Sequence, residues 1–558
     1  SFYHLKGDYE TKIIKAYSIS EEGEISYLQE KDITYTTPSQ GLSFFSGRKD
    51  AQIIKASIPN VKVGSIIDYE WETVEKSPED PVQFYTNWYF GGENPVFESK
   101  VKFIVPEEKE FYYVIKNFGD SKYDGTLSKE DGYKIYSFRR GECPPFIEEP
   151  YSPPSSELLP FVQGSSFKNQ DYLSEWLSKL FEERMVYDDK IKITVNDILN
   201  KSKAKSEEEI ISTLYRFTQE YIKYLSIKTS LSSGFSGHKA TETFYNRYGD
   251  CIDKSIFFAT ILNLVGIEAY PVIVTTNDQK QPLFGELGLV SGNHAINEIH
   301  LKDKKKIIYL DTTSTTYKYP YFREDDHNIK AWNPILNKFN FILPPLPEEN
   351  CQIFNTTINL DKAGGGEIIK SNVYSGSWEA GLREYLASLK DVEKKAVFSQ
   401  IAAKEHPGSV LKDFKHSDPA DYNSNFGFDF TYEAKEIAKK SGDFLILNLP
   451  SRYDFSYATY ESRNHPIKFS STYEDKNKFE IIIPEGLKIK GNLKNVEIKN
   501  DFFTYKADYK VEKNKLTIYS TFSRSKCYVP KENYKDLRKD LFKVDKILKS
   551  PIIFQSSL

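Results

Sequence analysis

Several of the signatures that most quickly reveal a function are missing from this chain of 558 residues. Its four cysteines are too few for a disulfide scaffold, and none of them forms a CxxC pair. No HExxH, Walker or GxGxxG motif occurs, which removes the common zinc-protease and nucleotide sites, and we expect no cofactor. The longest apolar stretch without a charge, from Ser255 to Ile267, is too short to cross a bilayer.

An excess of charge of one sign is also absent, since 75 lysines and arginines face 80 aspartates and glutamates. The net charge of −5 gives no electrostatic reason to expect a nucleic acid or an anionic membrane as a partner. A content of 39% hydrophobic residues, with 15% aromatic, excludes a mostly disordered chain. The chain opens with Ser1 rather than Met, so we expect that an upstream segment was removed and that a signal peptide would not be visible.

The length predicts three or four domains, and the residue pattern favours a multidomain α+β protein. Short apolar and aromatic runs predict a β-rich domain over 1–165, a sandwich or an open barrel, which ends in an extended proline-rich linker at 144–160. Helical spacing followed by strand-like runs predicts an α+β core over 166–350. Tyr- and Phe-rich strands with one helical stretch, from about 378 to 404, predict a second β-rich domain over 351–558.

One segment of the predicted core combines a buried helix with a reactive residue type. Apolar residues surround this helix on nearly every side, Asp250 suits its N-cap, and Gly266 suits its end. Cys251 therefore falls in the first turn, where unpaired amides and the helix dipole favour a thiolate. Because a helix end contributes only about 0.3–1 kcal/mol, a reactive Cys251 needs a cationic partner, for which a histidine is the natural choice.

A predicted hairpin offers that histidine together with a carboxylate. With a two-residue loop, His294 lies directly opposite Asp311, and with a four-residue loop the two are diagonal neighbours on the same face. In either register Asp311 can orient the imidazole. Cys251, His294 and Asp311 then supply the nucleophile, the base and the orienting group of a cysteine enzyme, although a structural cysteine and two ordinary polar strand residues explain the same spacing.

Three separated motifs occur in the order of a known family. The run from Arg247 to Ser255, followed by the run from Val265 to Val272, resembles the GDCxDKA…GIxAxPV core of bacterial transglutaminase-like proteins. Asn293-His294 and Leu310-Asp311-Thr312-Thr313 resemble the histidine motif and the LDPT motif of that superfamily. The resemblance implies a papain-like fold with a cysteine nucleophile, a histidine base and an aspartate that orients it.

The N-terminal third is similar to the β-rich domain of unknown function that often precedes this core in bacteria, at Ser57 to Ile67 and at Asn94-Pro95-Val96. The resemblance implies export to the periplasm or cell surface in many members. It does not imply one reaction, because the superfamily includes cross-linking enzymes, peptidases, amidases and members with no shown activity. Two functions stay open. One is a cysteine-dependent enzyme that acts through a thioester on amide bonds of a protein or peptide, with a cell-wall peptide included. The other is a non-catalytic exported binding or scaffold protein.

Several further residues carry weaker expectations. The backbone amide of Cys251 and a second donor would form an oxyanion hole, with Tyr224 and Tyr248 as the candidates for that donor. His300 is expected to be a solvated strand residue. Asp325-Asp326-His327 could bind a cation, but a charged loop is the favoured interpretation.

The three remaining cysteines are not expected to act as nucleophiles, because none of them lies at the start of a predicted helix. They are Cys143, Cys351 and Cys527.

Overall fold

The computed structural model describes residues 2–5, 9–37, 51–76, 84–118, 124–225, 237–278, 287, 292–302, 305–450 and 453–556. Strands predominate up to Ser165, helices and strands mix up to Ile342, and strands predominate again from Cys351. The multidomain α+β fold class expected from the sequence is confirmed.

The N-terminal strands form three sheets among the described residues, of which one has six strands and two have three strands each, in the orders β10-β11-β8 and β7-β12-β9. The two small sheets enclose an aromatic core that includes Phe90, Phe103 and Phe111. The expected sandwich therefore describes these two sheets, while β1–β6 form a sheet of their own. The strands are β1 (Phe2–Leu5), β2 (Tyr9–Ile19), β3 (Ile25–Tyr27), β4 (Ile33–Thr36), β5 (Ala51–Ala56), β6 (Ile66–Glu75), β7 (Tyr85–Tyr89), β8 (Ser99–Pro106), β9 (Tyr112–Lys116), β10 (Asp124–Glu130), β11 (Tyr133–Arg140) and β12 (Phe161–Ser165).

The proline-rich segment 144–160 is mostly irregular, as expected, but it contains one helical turn, α1 (Ser155–Leu158). This turn begins directly after Pro154, at an end where the missing proline N–H removes no helical hydrogen bond. The expectation that the segment holds no helix was wrong for these four residues.

Helices cover one face of the central region. They are α2 (Asp171–Arg184), α3 (Asp189–Ser202), α4 (Glu207–Tyr221), α5 (Ala240–Asn246) and α6 (Cys251–Leu264). A capping box opens α4, because the Ser206 hydroxyl accepts from the Glu209 amide at 3.2 Å and the Glu209 carboxylate accepts from the Ser206 amide at 3.0 Å. The helix α6 is buried on all sides, with Phe257 and Phe258 fully enclosed, and each such side chain contributes about 1.5–3 kcal/mol.

A five-stranded antiparallel sheet of order β17-β16-β15-β18-β19 supports α6. Ala295 and Ile299 face the helix, and Ile296 lies in a second apolar cluster on the other face. The strands are β15 (Glu268–Val274), β16 (His294–Leu301), β17 (Lys306–Leu310), β18 (Ile329–Asn333) and β19 (Lys338–Ile342), and a short parallel pair, β13 (Lys223–Tyr224) and β14 (Tyr248–Gly249), lies beside α6.

The C-terminal region is built on an eight-stranded sheet of order β22-β23-β21-β20-β27-β31-β30-β29. The predicted helical stretch is two helices, α7 (Ser377–Ser388) and α8 (Asp391–Glu405), and a third helix, α9 (Tyr534–Leu548), was not predicted. The strands are β20 (Cys351–Leu360), β21 (Gly366–Tyr374), β22 (Val410–His416), β23 (Phe426–Ala434), β24 (Ala438–Ser441), β25 (Phe444–Leu447), β26 (Ile467–Lys468), β27 (Tyr473–Ile482), β28 (Leu487–Lys490), β29 (Val496–Lys499), β30 (Phe503–Glu512), β31 (Lys515–Arg524), β32 (Tyr528–Val529) and β33 (Ile552–Ser556).

The C-terminal region contacts the proline-rich segment through a buried ion pair. Arg463, whose side chain is fully buried, lies 3.4 Å from the Glu149 carboxylate and donates to the Pro150 carbonyl at 2.7 Å. The Glu149 carboxylate also accepts from the amides of Asn464 and His465. These contacts tie residues more than 300 positions apart in the sequence.

Candidate active site

Cys251 is the first residue of α6, as the sequence predicted. The Asp250 side chain accepts from the Asp253 amide at 3.3 Å, and the Asp253 carboxylate accepts from the Asp250 amide at 3.1 Å. Gly249 precedes this capping box, and a Cβ atom there would lie 2.5 Å from the Asp253 Cβ, so a larger residue would displace it. Cys251 is half-buried, so its thiol lies at the positive end of the helix with access to solvent.

The hairpin of β16 and β17 brings His294 and Asp311 together. Asn297 pairs with Leu310, which is the register predicted for a four-residue loop and makes His294 and Asp311 diagonal neighbours. The loop positions 303–304 lie outside the described residues. Nε2 of His294 lies 3.2 Å from Oδ2 of Asp311, which follows the last residue of β17.

The Cys251 thiol lies close enough to the His294 imidazole to contribute to the raised pKa of that ring. Because Nε2 faces Asp311, Nδ1 is the ring nitrogen left for the thiol. His294 is 9% exposed and Asp311 is 1% exposed, so little water reaches the pair. The three residues expected to act together are therefore adjacent, in the order thiol, imidazole, carboxylate.

Burial and charge act in opposite directions on this pair. Burial alone lowers the pKa of His294, but the carboxylates of Asp311 and Asp326 outweigh it and raise that pKa well above its ordinary value. Burial raises the pKa of Asp311, whereas the imidazolium and hydrogen bonds from Thr313 lower it to about 2. Thr313 donates from its amide and from its hydroxyl, each at 2.8 Å. The environment thus favours an imidazolium beside an ionised Asp311.

Tyr224 is the candidate oxyanion donor that interacts with the thiol. Tyr224 is 53% exposed, yet partial desolvation raises its pKa, and the charges of Cys251 and Asp250 raise it further. The pairing of β13 with β14 sets Tyr224 beside Gly249, two residues before the thiol. A high pKa keeps the phenol protonated, as a hydrogen-bond donor must be.

Asp326 is a group of this site that the sequence did not reveal. The segment Asp325-Asp326-His327 lies in a loop, as expected, but two of its side chains are buried, since Asp326 is 0% and His327 is 5% exposed. Oδ2 of Asp326 lies 3.9 Å from Nε2 of His294, on the same side of the ring as Asp311. The sequence marked this run as a charged loop or a cation site, but nothing in its spacing indicated that Asp326 lies beside His294.

The C-terminal region holds the loop that carries Asp326. The His327 ring Nδ1 lies 3.1 Å from the Ser471 hydroxyl, and burial lowers the pKa of His327 to about 3, so the ring is neutral. The Ser470 hydroxyl donates to the Glu324 carboxylate. Asn277, which follows β15, donates to the carbonyls of Glu324 and His327 at 2.9 Å each.

His294, Asp311 and Asp326 have ligand atoms within 4.8 Å of one another, a spacing that a metal ion could use. The guanidinium of Arg323 lies 3.7 Å from Oδ2 of Asp311, however, and its permanent positive charge repels a second cation. The thiol partner and this arginine together make the cluster better suited to proton transfer than to metal binding.

His300 is a partly exposed strand residue, but its ring also contacts two carboxylates that the sequence did not predict. Its ring lies 2.9 Å from the Glu298 carboxylate and 3.4 Å from that of Glu268. Glu298 is fully buried and accepts further hydrogen bonds from Tyr309 and Asn340. This network lies at the opposite end of β16 from His294. Among the described residues, its hydrogen bonds hold the strands of the sheet together and do not reach the candidate site.

The other cysteines differ from Cys251 in exposure and helix position. Cys143, Cys351 and Cys527 are buried, and none of them begins a helix. Burial raises the pKa of Cys351 and that of Cys527 to about 11, which disfavours their thiolates at neutral pH.

Three family models match successive parts of the chain. The model of the transglutaminase-like superfamily matches residues 194–311, which include Cys251, His294 and Asp311. Two domains of unknown function with solved structures, DUF3857 and DUF3858, match residues 7–147 and 443–554. No curated protein matches the chain. No helix among the described residues is long and apolar enough to span a membrane.

One of the similar solved structures shares the fold of nearly the whole chain. A protein from Parabacteroides distasonis described as a "putative protease" is 13% identical, with 99% of this chain and 91% of that chain covered and a TM-score of 0.66. A "putative cysteine protease" from Cytophaga hutchinsonii is 11% identical over 41% of this chain and 75% of that chain, but its TM-score of 0.20 supports no argument. The first similarity establishes a common fold across nearly the whole chain.

The central region is therefore a transglutaminase-like domain, the fold of a class that includes cysteine-dependent enzymes. In this chain, the domain lies between a region that matches DUF3857 and a region that matches DUF3858.

Proposed function

We propose that this protein is a cysteine-dependent enzyme that acts on amide bonds of a protein or peptide through a thioester on Cys251. The observation that carries the proposal is the His294 imidazole, which interacts with the Cys251 thiol and lies 3.2 Å from the Asp311 carboxylate. A structural cysteine would need neither partner. The helix N-terminus and the raised pKa of His294 both favour the thiolate–imidazolium pair.

The reaction follows from these positions. His294 accepts the thiol proton at Nδ1, and the Cys251 sulfur attacks the carbonyl carbon of the substrate. The oxyanion that forms accepts hydrogen bonds from the Cys251 amide, which has no helical partner in the first turn, and from the Tyr224 hydroxyl. The C–N bond then breaks, the amine leaves with the proton from His294, and a thioester remains.

The acceptor in the second step decides the overall reaction. When water attacks the thioester, His294 accepts its proton and a carboxylic acid is released, which is the peptidase or amidase outcome. When an amine attacks, a new amide forms, which is the transferase outcome. Both routes regenerate the Cys251 thiol and use the same residues, so the proposal covers a hydrolase and an acyltransferase.

The test is labelling with a peptide amide that carries a thiol-reactive electrophile. The wild-type protein should be labelled at Cys251, and Cys251→Ala should abolish labelling. Cys527→Ala should leave it unchanged, because that thiol is buried. His294→Ala should slow labelling by about 100-fold or more, the range expected for loss of a general base. Undiminished labelling of Cys251→Ala would contradict the proposal.

We also propose that the protein is exported to the periplasm or cell surface, where cell-wall peptides are among the possible substrates. The support is its resemblance to exported transglutaminase-like proteins. Fractionation of cells that express the complete gene tests this proposal, and recovery of the protein in the cytoplasmic fraction alone would contradict it.

A further inference from the structure

Asp326 is a buried carboxylate that the proposed reaction does not use. The residue is 0% exposed, and no described residue donates a hydrogen bond to either of its oxygens. Taking a carboxylate out of water without such donors costs several kcal/mol. Buried polar groups that stay without hydrogen bonds are rare, and each calls for an explanation beyond packing.

The groups that face Asp326 come from four parts of the central domain. Two carry positive charge, the imidazolium of His294 and the guanidinium of Arg323, and two carry negative charge, Asp311 and Asp325. A fifth group, which is uncharged, is the phenol of Tyr215 on α4. It donates to the Asp311 carbonyl at 2.8 Å. Nε2 of His294 lies 3.9 Å from Oδ2 of Asp326.

We propose that Asp326 is a positioning residue for His294, a second carboxyl group on the Nε2 side of the ring, held there by Ser470 and Ser471 of the C-terminal region. This inference rests on the proposed function only in taking His294 as the base. Asp326 acts through the imidazole and does not touch the substrate.

Asp311 and Asp326 have different roles because they accept different hydrogen bonds. Asp311 accepts from Thr313 and from His294 along a fixed direction, so it orients the ring. Asp326 has no such donors and lies farther away, so its effect on the ring is electrostatic. When the Cys251 proton moves to Nδ1, the ring becomes a cation, and a carboxylate at this distance stabilises that cation in a nearly water-free site. No proton passes to Asp326 in this step.

The protonation of Asp326 is linked to that of His294. Burial raises the pKa of Asp326 well above its ordinary value, and Asp311 and Asp325 raise it further, whereas the imidazolium lowers it. Asp326 therefore ionises most readily when His294 is charged, and the linkage is reciprocal. The thiolate–imidazolium pair should depend on pH through both groups.

The C-terminal region contacts the loop that carries Asp326, and these contacts provide a second position at which the inference can be tested. Ser471 contacts the ring of His327, next to Asp326, and Ser470 donates to Glu324, two residues before it. Arg524 of β31 fixes this segment by donating to the Ser471 carbonyl at 2.8 Å. A change at Ser471 therefore reaches Asp326 without altering any group of the triad.

The experiment measures the protonation of His294 directly, by NMR titration of its ring in the full chain. Cys251→Ala is the reference protein, so no catalytic activity is needed. Asp326→Asn in this background should move the His294 titration to lower pH by about one unit, a tenfold change in the protonation constant. Asp501→Asn, which removes an exposed carboxylate from the β29–β30 turn, should leave it unchanged. An identical titration in Asp326→Asn would overturn the inference.

Two further readouts separate a positioning role from a structural one. In the chain with Cys251 intact, Asp326→Asn should slow alkylation of Cys251 about tenfold at pH 7. The melting temperature should stay the same or rise, because the substitution removes a buried carboxyl group to which no described residue donates a hydrogen bond. If Asp326→Asn fails to fold, Ser471→Ala decides. A shift of the His294 titration in the same direction supports the inference, and an unchanged titration overturns it. A shifted titration in a protein that electrophilic amides do not label would retain the inference and reject the proposed function.

Discussion

The carboxyl groups of Asp311 and Asp326 face one imidazole but are held in opposite ways. Asp311 receives hydrogen bonds from Thr313 and His294, and these lower its pKa to about 2. Asp326 receives none from the described residues, and its pKa is raised. Asp311 is therefore ionised at neutral pH, whereas Asp326 resists ionisation. Two carboxyl groups with opposite pKa shifts beside one imidazole can take different roles.

Replacement of Asp311 by asparagine tests the orienting role. Asp311→Asn keeps the shape but removes the charge, so the pKa of His294 should fall and the thiol should keep its proton to higher pH. We expect Cys251 alkylation to slow about tenfold at pH 7, with its pH profile displaced upward. Alkylation rates from pH 5 to 9 provide the measurement.

The matched comparison is Asp311→Ala, which should change the pH profile in the same direction. It should also cost about 1 kcal/mol of stability, because Thr313 and His294 lose their acceptor. Profiles that superimpose on the wild type, with unchanged melting temperatures, would show that Asp311 has no part in the site.

For single residues, the sequence was informative where capping preferences or strand alternation determine the position of a side chain. Asp250 is a good N-cap and alternation along β16 is regular, so the positions of Cys251 and His294 could be derived. Asp326 and the neighbours of His300 could not, because their burial depends on segments that meet only in the folded chain.

At the scale of elements, Lys254 joins the two central helices. It lies one turn after Cys251 on α6, is fully buried, and donates to the carbonyls of Thr218, Gln219 and Ile222 at the end of α4. Burial lowers the pKa of Lys254 to about 8. The last carbonyls of α4 thus obtain the partners that a helix end lacks.

Lys254→Met should destabilise the protein by about 1–3 kcal/mol at pH 7, since buried carbonyls lose their donor. The pH dependence gives a sharper result. The folded protein releases the Lys254 proton near pH 8, whereas the unfolded chain holds it to about pH 10. The unfolded state binds more protons between these values, so this residue's contribution to stability rises with pH there.

The measurement is the difference in melting temperature between Lys254→Met and wild type, followed from pH 7 to 10. The difference should grow as the pH rises. Lys179→Met, at an exposed lysine of α2, should give no such trend. A constant difference across this range would contradict the lowered pKa of Lys254.

The elements missed in the sequence have identifiable causes. The helix α9 buries Leu537, Leu541 and Val544 at helical spacing, but it lies among Tyr- and Phe-rich strands, and the surrounding composition favoured a strand. The helix α3 has a clear cap, since the Asp188 carboxylate accepts from the Ile191 amide at 2.9 Å, but its interior has β-branched residues that weaken the helical signal.

At the scale of the whole molecule, the sequence predicted three regions in order but not how they meet. The contact between Glu149 and Arg463 links a proline-rich segment to a loop more than 300 residues away. Neither position has a local pattern that marks it as an interface. Long-range pairing of this kind could be recognised only from the folded chain.

Glu149→Ala should lower the melting temperature substantially, because it leaves the buried guanidinium of Arg463 without its carboxylate; breaking a buried pair in this way costs about 3–5 kcal/mol. The double variant Glu149→Ala/Arg463→Met should recover part of the loss, since no buried charge remains. Thermal unfolding of the three proteins is the measurement. An unchanged melting temperature in Glu149→Ala would show that the contact does not stabilise the molecule.

The burial of Cys143, Cys351 and Cys527 has a practical consequence for anyone who works with this protein. A maleimide dye added to the native chain should attach at one position, so no cysteine needs to be removed by mutagenesis beforehand. That position is Cys251 in the candidate active site, where a fluorophore would respond to a ligand that binds beside it. The wild-type molecule could therefore be labelled directly for binding measurements, although the label would occupy the Cys251 thiol.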